Sequence, residues 1–507
     1  MGAERIRCLV DGVPFPCQSS FQVRDATDKV SVLHEVDSLS AEHVGDVVKS
    51  SQRAFEKWRA TDVTERRSVL LKVLNQYRDQ MDALVELECR ETTTSVGFAN
   101  FDVKVLALQC LEETICCMSA ALRGELAPST ASGKRLTVKR EPYGIVFSIV
   151  PWNAPVCLAM RGIITPLAAG NAVILKTSEY SPALQAAVVS IFHQAGLPPS
   201  LVNVVHVARG AMPEVTRTFV EHKLVRKVNF TGSTHVGRIV SQLCASNDTP
   251  VVLELGGKGC VVVLKDADLA LAANNIVFGA LLNQGQICMA TTNVLVHVEV
   301  RKELEDRIRE IVGNHRLLFR ADNSSNYDLG QRAAETAPSQ HRLRGVVSSE
   351  AARTAKESYE EALSHHGAFA FAGEAAFDVE NSLVQPVFLH CTGGEDLFKK
   401  ELFAPIVGTF AFRTVSEAVQ LANDCVSGLS TSIFGQDETQ AYLMASQIDS
   451  GAVHINGCTV HDDQSVPHGG VRSSGNGRFS GLHGIQEFTY LKTITYNPPH
   501  YYDFELM

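Results

Sequence analysis

Apolar residues change their spacing several times along this chain of 507 residues. Over 40–91, Val44, Val47, Val48 and Phe55, then Leu70, Leu71, Val73 and Leu74, recur at helical spacing. Arg66, Arg67, Lys72 and Arg78 lie between them on the outer side, so amphipathic helices are predicted. A turn at 128–133 leads into SGKRLTVKRE (132–141), which alternates like a half-exposed strand. Residues 144–150 are continuously apolar and rich in β-branched side chains, as a buried parallel strand requires. A helix over 160–169, a strand over 172–176 and a helix over 183–195 follow. Gly196, Pro198 and Pro199 supply the stop for that last helix. Strands at 202–206 and 227–230 and a helix from Thr234 complete the series. Such alternation predicts an α/β class protein, with a parallel sheet covered by helices on both faces and suited to a dinucleotide.

A second alternating block begins after Gly256, with strands at 260–264 and 293–298 and helices at 269–282, 301–312 and 351–365. Two blocks agree with the length, because single cores stop growing near about 250–300 residues. Within the second block, between the helices at 301–312 and 351–365, 314–348 is polar without a period. Within it, 331–345 reads as an unusually long loop, or as a gene-model insertion that the expressed protein lacks.

Composition narrows the function. Charged residues make up 20% and the net charge is −10, which excludes the clustered basic face of a nucleic-acid binder. Thirteen cysteines are scattered without a CxxC pair, so neither a disulfide scaffold nor a metal site is expected. The most apolar stretch, 143–160, is broken by Pro151, Asn153 and Pro155, and the first residues lack a signal peptide. A cytoplasmic protein without a membrane span is the expectation.

Three residues suggest chemistry. Cys288 in NQGQICMA is a nucleophile if its surroundings lower its pKa or supply a base, and is otherwise core. Glu254 in VVLELGGK places a carboxylate inside an apolar strand. It is either a general base with a pKa raised toward neutrality or a core residue paired with Lys258. Asn153 in PWNAP follows a buried strand, where its amide can donate to an oxyanion or simply make a turn. Lys176 and Glu179 in LKTSE suit the hydroxyls of a ribose or form a surface ion pair; an acid there favours NAD over NADP. Gly232 and Gly237 frame a turn into a helix that suits a phosphate. Arg238 and Ile239 replace the Lys and Ser/Thr of an ATPase loop.

These pieces, together with AGLPPSLVNVV (195–205), ELFAP (401–405), GLSTSIFG (428–435) and HGGVRSSGNGR (468–478), resemble the aldehyde dehydrogenase superfamily along nearly the whole chain. VNFTGSTHVGRIV, NQGQICM and GAVHINGCTVHDD look most like its salicylaldehyde and vanillin dehydrogenases. The resemblance implies two doubly wound Rossmann-like domains and a small β oligomerisation arm. The NAD-binding domain would hold 1–124 and 143–255 and the catalytic domain 256–452. The arm would hold 125–142 and 480–507, with 453–479 returning to the NAD-binding domain. A homodimer or homotetramer is implied.

The resemblance also implies roles. Cys288 forms a thiohemiacetal and then a thioester, Asn153 completes an oxyanion hole, and Glu254 activates the hydrolytic water. Lys176 and Glu179 hold the adenosine ribose, with Lys176 also in the catalytic set. Ser233, between Gly232 and Gly237, holds the pyrophosphate. Glu401 holds the nicotinamide ribose, backed by Phe403 and Trp152, and Lys258 supports Glu254. Ala154, Cys157, Leu158, Arg161, Met289, Cys458 and His468 line the substrate tunnel. Arg161 meets a phenol or carboxylate there, or faces solvent as a helix arginine. His468 stands where the family usually has Phe. Oxidation of an aromatic aldehyde with NAD, or with NADP, is the implied activity. Aliphatic or semialdehyde oxidation and a nucleotide-independent thiol esterase are the competing readings.

Overall fold

A computed structural model describes residues 4–499 and 501, apart from 27–28, 132, 315–343, 365–366, 374, 393–395 and 426. Most of the 331–345 segment therefore lies outside the described residues.

The first apolar runs assemble an eight-stranded sheet. Its order is Gly475–Asn476, Val251–Leu255, Val225–Gly232, Ile145–Ile149, Ala172–Lys176, Val202–Val205, Leu9–Val10 and Val13–Pro14. The five strands from Val251–Leu255 to Val202–Val205 are parallel, and antiparallel segments close both edges. From Ile145–Ile149 the chain first builds outward on one side, through Ala172–Lys176 and Val202–Val205, and then returns to the other with Val225–Gly232. Ligands bind at the carboxyl ends of strands at such a reversal.

The helix predicted over 160–169 starts earlier, as Pro155–Ala169, and is buried along nearly its whole length. Ala172–Lys176 is the strand predicted, fully buried because every residue but the last is apolar. After Pro182–Gln194, Gly196 takes φ +90°, the left-handed conformation that favours glycine.

The second block forms a seven-stranded sheet in the order Phe369–Gly373, Val387–His390, Ile406–Phe412, Thr291–His297, Gly259–Val263, Ser430–Phe434 and Ala452–Ile455. All neighbours are parallel except the first pair. The return to the first sheet therefore falls after Ile455 rather than at residue 453, because Ala452–Ile455 completes the second sheet.

Arg135–Pro142 pairs with Thr489–Tyr496 on one side and Glu125–Ala127 on the other, giving a separate three-stranded arm. The arm does not begin at residue 480: Ile485 and Phe488 pack into the core of the first sheet. A small sheet of Glu4–Ile6, Val32–Ser38 and Ser19–Arg24 was not foreseen. No helix among the described residues is long and apolar enough to cross a membrane.

Candidate active site

Cys288 follows an unusual turn. Asn283, Gln284 and Gly285 all have positive φ, at 48°, 56° and 71°, which reverses the chain after the helix Leu269–Leu281. A Cβ on Gly285 would stand 2.8 Å from the backbone of Ala404, so glycine alone fits that approach. The turn delivers the partly buried Cys288 against Glu254, whose Oε1 accepts from Sγ at 3.0 Å.

Glu254 lies on the strand Val251–Leu255 and is 1% exposed. Its other oxygen, Oε2, accepts from the guanidinium of Arg161, itself buried. Burial alone would raise the Glu254 pKa. Arg161, then His468 and Cys288, outweigh it and hold the carboxyl well below the usual range. The raised pKa expected of a general base is thus corrected, since a buried cation faces this carboxylate. Lys258 is not the partner of Glu254: it is buried near Cys425 and Glu401, and desolvation lowers its pKa to about 8. Arg161 is not a solvent-facing helix arginine either, because the helix Pro155–Ala169 has no solvent face at that position.

The Cys288 thiol is held well above its usual pKa, first by burial and then by the Glu254 carboxylate. The resting sulfur is therefore a thiol with a base in contact, the second of the two conditions set for a nucleophile.

A cavity of about 240 Å³ opens over this pair. It brings together Asn153, Ala154, Cys157, Leu158, Arg161, Glu254, Cys288, Met289 and His468 from the expected set. Cys458 does not line it: its sulfur is 3.6 Å from the carbonyl of Asn275, on the helix Leu269–Leu281. Sequence reasoning missed Phe98, Phe101, Val105, Leu106, Gln109, Ile287, Val460, His461 and Asp462, which complete the lining. The acidic pair Asp462 and Asp463 behind two histidines, His454 and His461, was the available signal for the polar end.

A family model for the aldehyde dehydrogenase family matches residues 16–494. The chain belongs to that family. This aldehyde dehydrogenase is 36% identical to a vanillin dehydrogenase of Pseudomonas fluorescens over 473 residues, 93% of each chain. It is 33% identical to a salicylaldehyde dehydrogenase of Pseudomonas putida over 459 residues, 90% of this chain and 91% of the other. The crystal structure of a salicylaldehyde dehydrogenase from Pseudomonas putida G7 complexed with salicylaldehyde superposes with a TM-score of 0.91 at 30% identity, covering 98% of this chain and 99% of that one. The aldehyde dehydrogenase is an oxidoreductase acting on aldehydes, and its family uses a nicotinamide cofactor.

The residues expected to hold that cofactor in this aldehyde dehydrogenase surround the reversal point of the first sheet. Lys176 ends its strand and is 5% exposed; burial lowers its pKa, and Glu179 opposes that shift. Ser233 caps the helix Thr234–Ser246, accepting from the amide of Val236 at 3.3 Å. A Cβ on Gly237 would fall 2.2 Å from Leu255 and one on Gly232 would meet the Phe230 ring, so glycine keeps this helix N-terminus close to the sheet. Glu401 accepts from the amide of Gly257 at 3.1 Å, and burial raises its pKa to about 7. Trp152 meets Phe403 edge to face at 5.8 Å, joining the Asn153 loop to the Glu401 loop. An anionic dinucleotide fits this set: a helix N-terminus, a buried cation and a carboxyl beside close backbone.

Proposed function

We propose that this enzyme oxidises aromatic aldehydes to carboxylic acids through a thioester on Cys288, with NAD as the preferred cofactor. The observation that carries the reading is the Cys288–Glu254 contact of 3.0 Å beneath a small cavity with apolar walls. Phe98 and Phe101, with ring centroids 6.2 Å apart, line it together with Leu158, Ile287, Met289 and Val460. Its volume of about 240 Å³ falls below the roughly 300–1,000 Å³ of drug-sized sites, which suits a single ring. Aromatic side chains favour a flat ring through edge and offset contacts. The vanillin and salicylaldehyde dehydrogenases among the relatives support the same class.

Glu254 takes the thiol proton as sulfur attacks the carbonyl carbon. The Asn153 side chain and the Cys288 amide face the oxyanion, where one donor contributes roughly 2.7–4 kcal/mol. A nicotinamide dinucleotide held by Lys176, Glu179, Ser233 and Glu401 would supply the hydride acceptor. Glu254 then deprotonates the water that releases the acid. Lys176 and Glu179 hold the adenosine ribose, and the Glu179 carboxylate disfavours a 2′-phosphate.

The domain limits follow the two sheets: the first binds the nucleotide and the second presents the thiol. The arm is the oligomer contact of a homodimer or homotetramer, since an isolated small sheet seeks a partner edge. The charge balance and the absence of a long apolar helix among the described residues agree with a cytoplasmic enzyme.

The test is a kcat/KM panel of benzaldehyde, vanillin and salicylaldehyde against linear aldehydes, with NAD and with NADP, read by nucleotide absorbance. At least about tenfold preference for the aryl substrates is expected, a margin equal to about 1.4 kcal/mol. Preference for linear aldehydes overturns the aromatic assignment. Equal or better rates with NADP overturn the NAD assignment. An aryl ester assayed without nucleotide reports on the thiol–carboxylate pair alone, because acylation of Cys288 by an ester transfers no hydride.

A further inference from the structure

Arg161 leaves Glu254 with a chemical difficulty. A carboxylate whose pKa is held far below neutrality is a weak base and a poor reservoir for a proton. Each turnover nevertheless delivers protons to it, from the thiol and from the attacking water. Arg161 cannot relieve it, because a guanidinium carries no acceptor. Asn153 is an amide and does not titrate.

His468 is placed to do so. Its Nε2 stands 3.6 Å from Glu254 Oε1, the same oxygen that faces the Cys288 sulfur. Its Nδ1 stands 3.8 Å from Asp462 Oδ1. That oxygen is buried and has no hydrogen-bond partner among the described residues. The backbone of His468 is fixed by a two-way bridge to Phe479, at 2.8 and 2.7 Å. Arg161 binds the outer oxygens of both acids, Oε2 of Glu254 and, at 3.8 Å, Oδ2 of Asp462, leaving each Oδ1/Oε1 to the imidazole. Both imidazole separations are ion-pair distances, and catalytic contacts of this kind tighten when substrate fills the site.

We propose that His468, backed by Asp462, takes the proton from the Glu254 carboxyl in both halves of the reaction and passes it out of the site. The proposal rests on the function proposed above and adds a residue that acts through Glu254. In the first half the S–H bond breaks, its electron pair forms the bond to the carbonyl carbon, and the proton crosses Glu254 Oε1 to His468 Nε2. In the second, a water O–H bond breaks, its oxygen bonds the acyl carbon, and the carbon–sulfur pair returns to sulfur, which takes the remaining hydroxyl proton of the acid so that the thiol is restored and a carboxylate leaves. The water proton takes the same route. The imidazolium, facing Asp462, then loses its proton to solvent beside the exposed His461.

The groups facing His468 are Glu254 from its strand, Arg161 from its helix, Asp462 from its own loop and His454 from the strand Ala452–Ile455. Burial disfavours the charged ring, but Asp462 and Glu254 outweigh that and raise the His468 pKa.

The test compares His468→Phe and Asp462→Asn with the unsubstituted enzyme, measuring kcat and KM from about pH 5.5 to about pH 9.5, across the histidine range. A relay predicts that His468→Phe lowers kcat about 10²-fold, with a smaller change in KM, and abolishes the acid limb. Added imidazole restores part of the rate. Asp462→Asn, which preserves volume, moves the acid limb to lower pH, because His468 loses the anion that raises its pKa. Should His468→Phe fail to fold, the limb shift in Asp462→Asn decides. An unmoved limb in either variant, or a His468→Phe rate indifferent to imidazole, overturns the relay while leaving aldehyde oxidation standing. Absence of aldehyde oxidation in the unsubstituted enzyme overturns both readings.

Discussion

The side-chain amide of Asn283 donates to the backbone carbonyl of Asn153 across 3.0 Å. This bond joins the positive-φ turn before Cys288 to the loop that carries Asn153, so the proposed nucleophile and the proposed oxyanion donor are linked by one contact. Replacing Asn283 by Ala is expected to lower kcat about 10²-fold, because a misplacement near 1 Å has a cost of that order. The melting temperature should move little by comparison. Steady-state kinetics beside thermal unfolding checks this; an unchanged kcat refutes the link.

Arg161→Met leaves the Glu254 carboxylate buried without its cation. Breaking a buried pair in this way costs about 3–5 kcal/mol, read by denaturant unfolding. Loss of the positive neighbour also raises the Glu254 pKa. Arg161 also lowers the His468 pKa, so its loss raises the group to which the acid limb belongs; the limb moves to higher pH and activity falls more at about pH 6 than at about pH 8. A variant with the limb unmoved would show that Arg161 does not set the charge of the Glu254–His468 pair.

Cys288→Ala should abolish both nucleotide reduction and ester hydrolysis, since both need the sulfur. Glu254→Gln is expected to lower kcat by about 10²–10⁴-fold, the usual contribution of a positioned base. Persistence of ester hydrolysis in Cys288→Ala would place that activity elsewhere on the protein.

A second carboxyl pair sits away from the reacting atoms. Glu88 is fully buried against Asp102, whose oxygens accept from the amides of Val156 and Cys157 at 3.0 and 3.1 Å. Burial, then Asp102, raises the Glu88 pKa, and burial raises that of Asp102 to about 7. A carboxyl raised on folding stabilises below its unfolded pKa and loses that contribution as pH climbs through the folded value. The melting temperature should therefore fall from about pH 5 to about pH 9, and Glu88→Gln should fall less over the same range. Parallel curves for the two proteins would show that the Glu88 pKa is not raised on folding.

The arm leaves Leu126 85% exposed and Leu491 62% exposed in the single chain. Leu491→Glu is expected to shift the protein toward monomer, measured by light scattering after size exclusion. A mass unchanged from the unsubstituted protein would place the interface elsewhere.

Much of the first sheet could be read from periodicity because its strands are apolar on both faces. Ala172–Lys176 is such a run, and the break at Gly196 is equally local. The partner of Glu254 was not legible in the same way. Lys258 is four positions away in sequence, whereas Arg161 is separated from Glu254 by 93 and meets it only through the packing of a helix on a strand. A clue did exist: PVCLAMRGIITPLAA is apolar all round, so a helix there offers its arginine no water. The small sheet near the first residues escaped because Glu4–Ile6 and Ser19–Arg24 are short or largely exposed, and the mostly buried Val32–Ser38 interrupts its apolar residues with His34, Glu35 and Asp37. Cys458 was assigned to the tunnel by position, but its sulfur is turned to Asn275.

Gly475–Asn476 covers the edge of the strand that carries Glu254, with the Leu253 amide donating to the Asn476 side chain 223 positions downstream. On a ribosome adding about 5–20 residues per second, that edge stays bare for roughly ten to fifty seconds after the strand emerges. A nascent chain of this protein thus presents an open hydrogen-bonding ladder, flanked by apolar side chains, throughout that interval. Its yield in cells should depend on the holdases that shield such edges, more than the stability of the finished enzyme suggests.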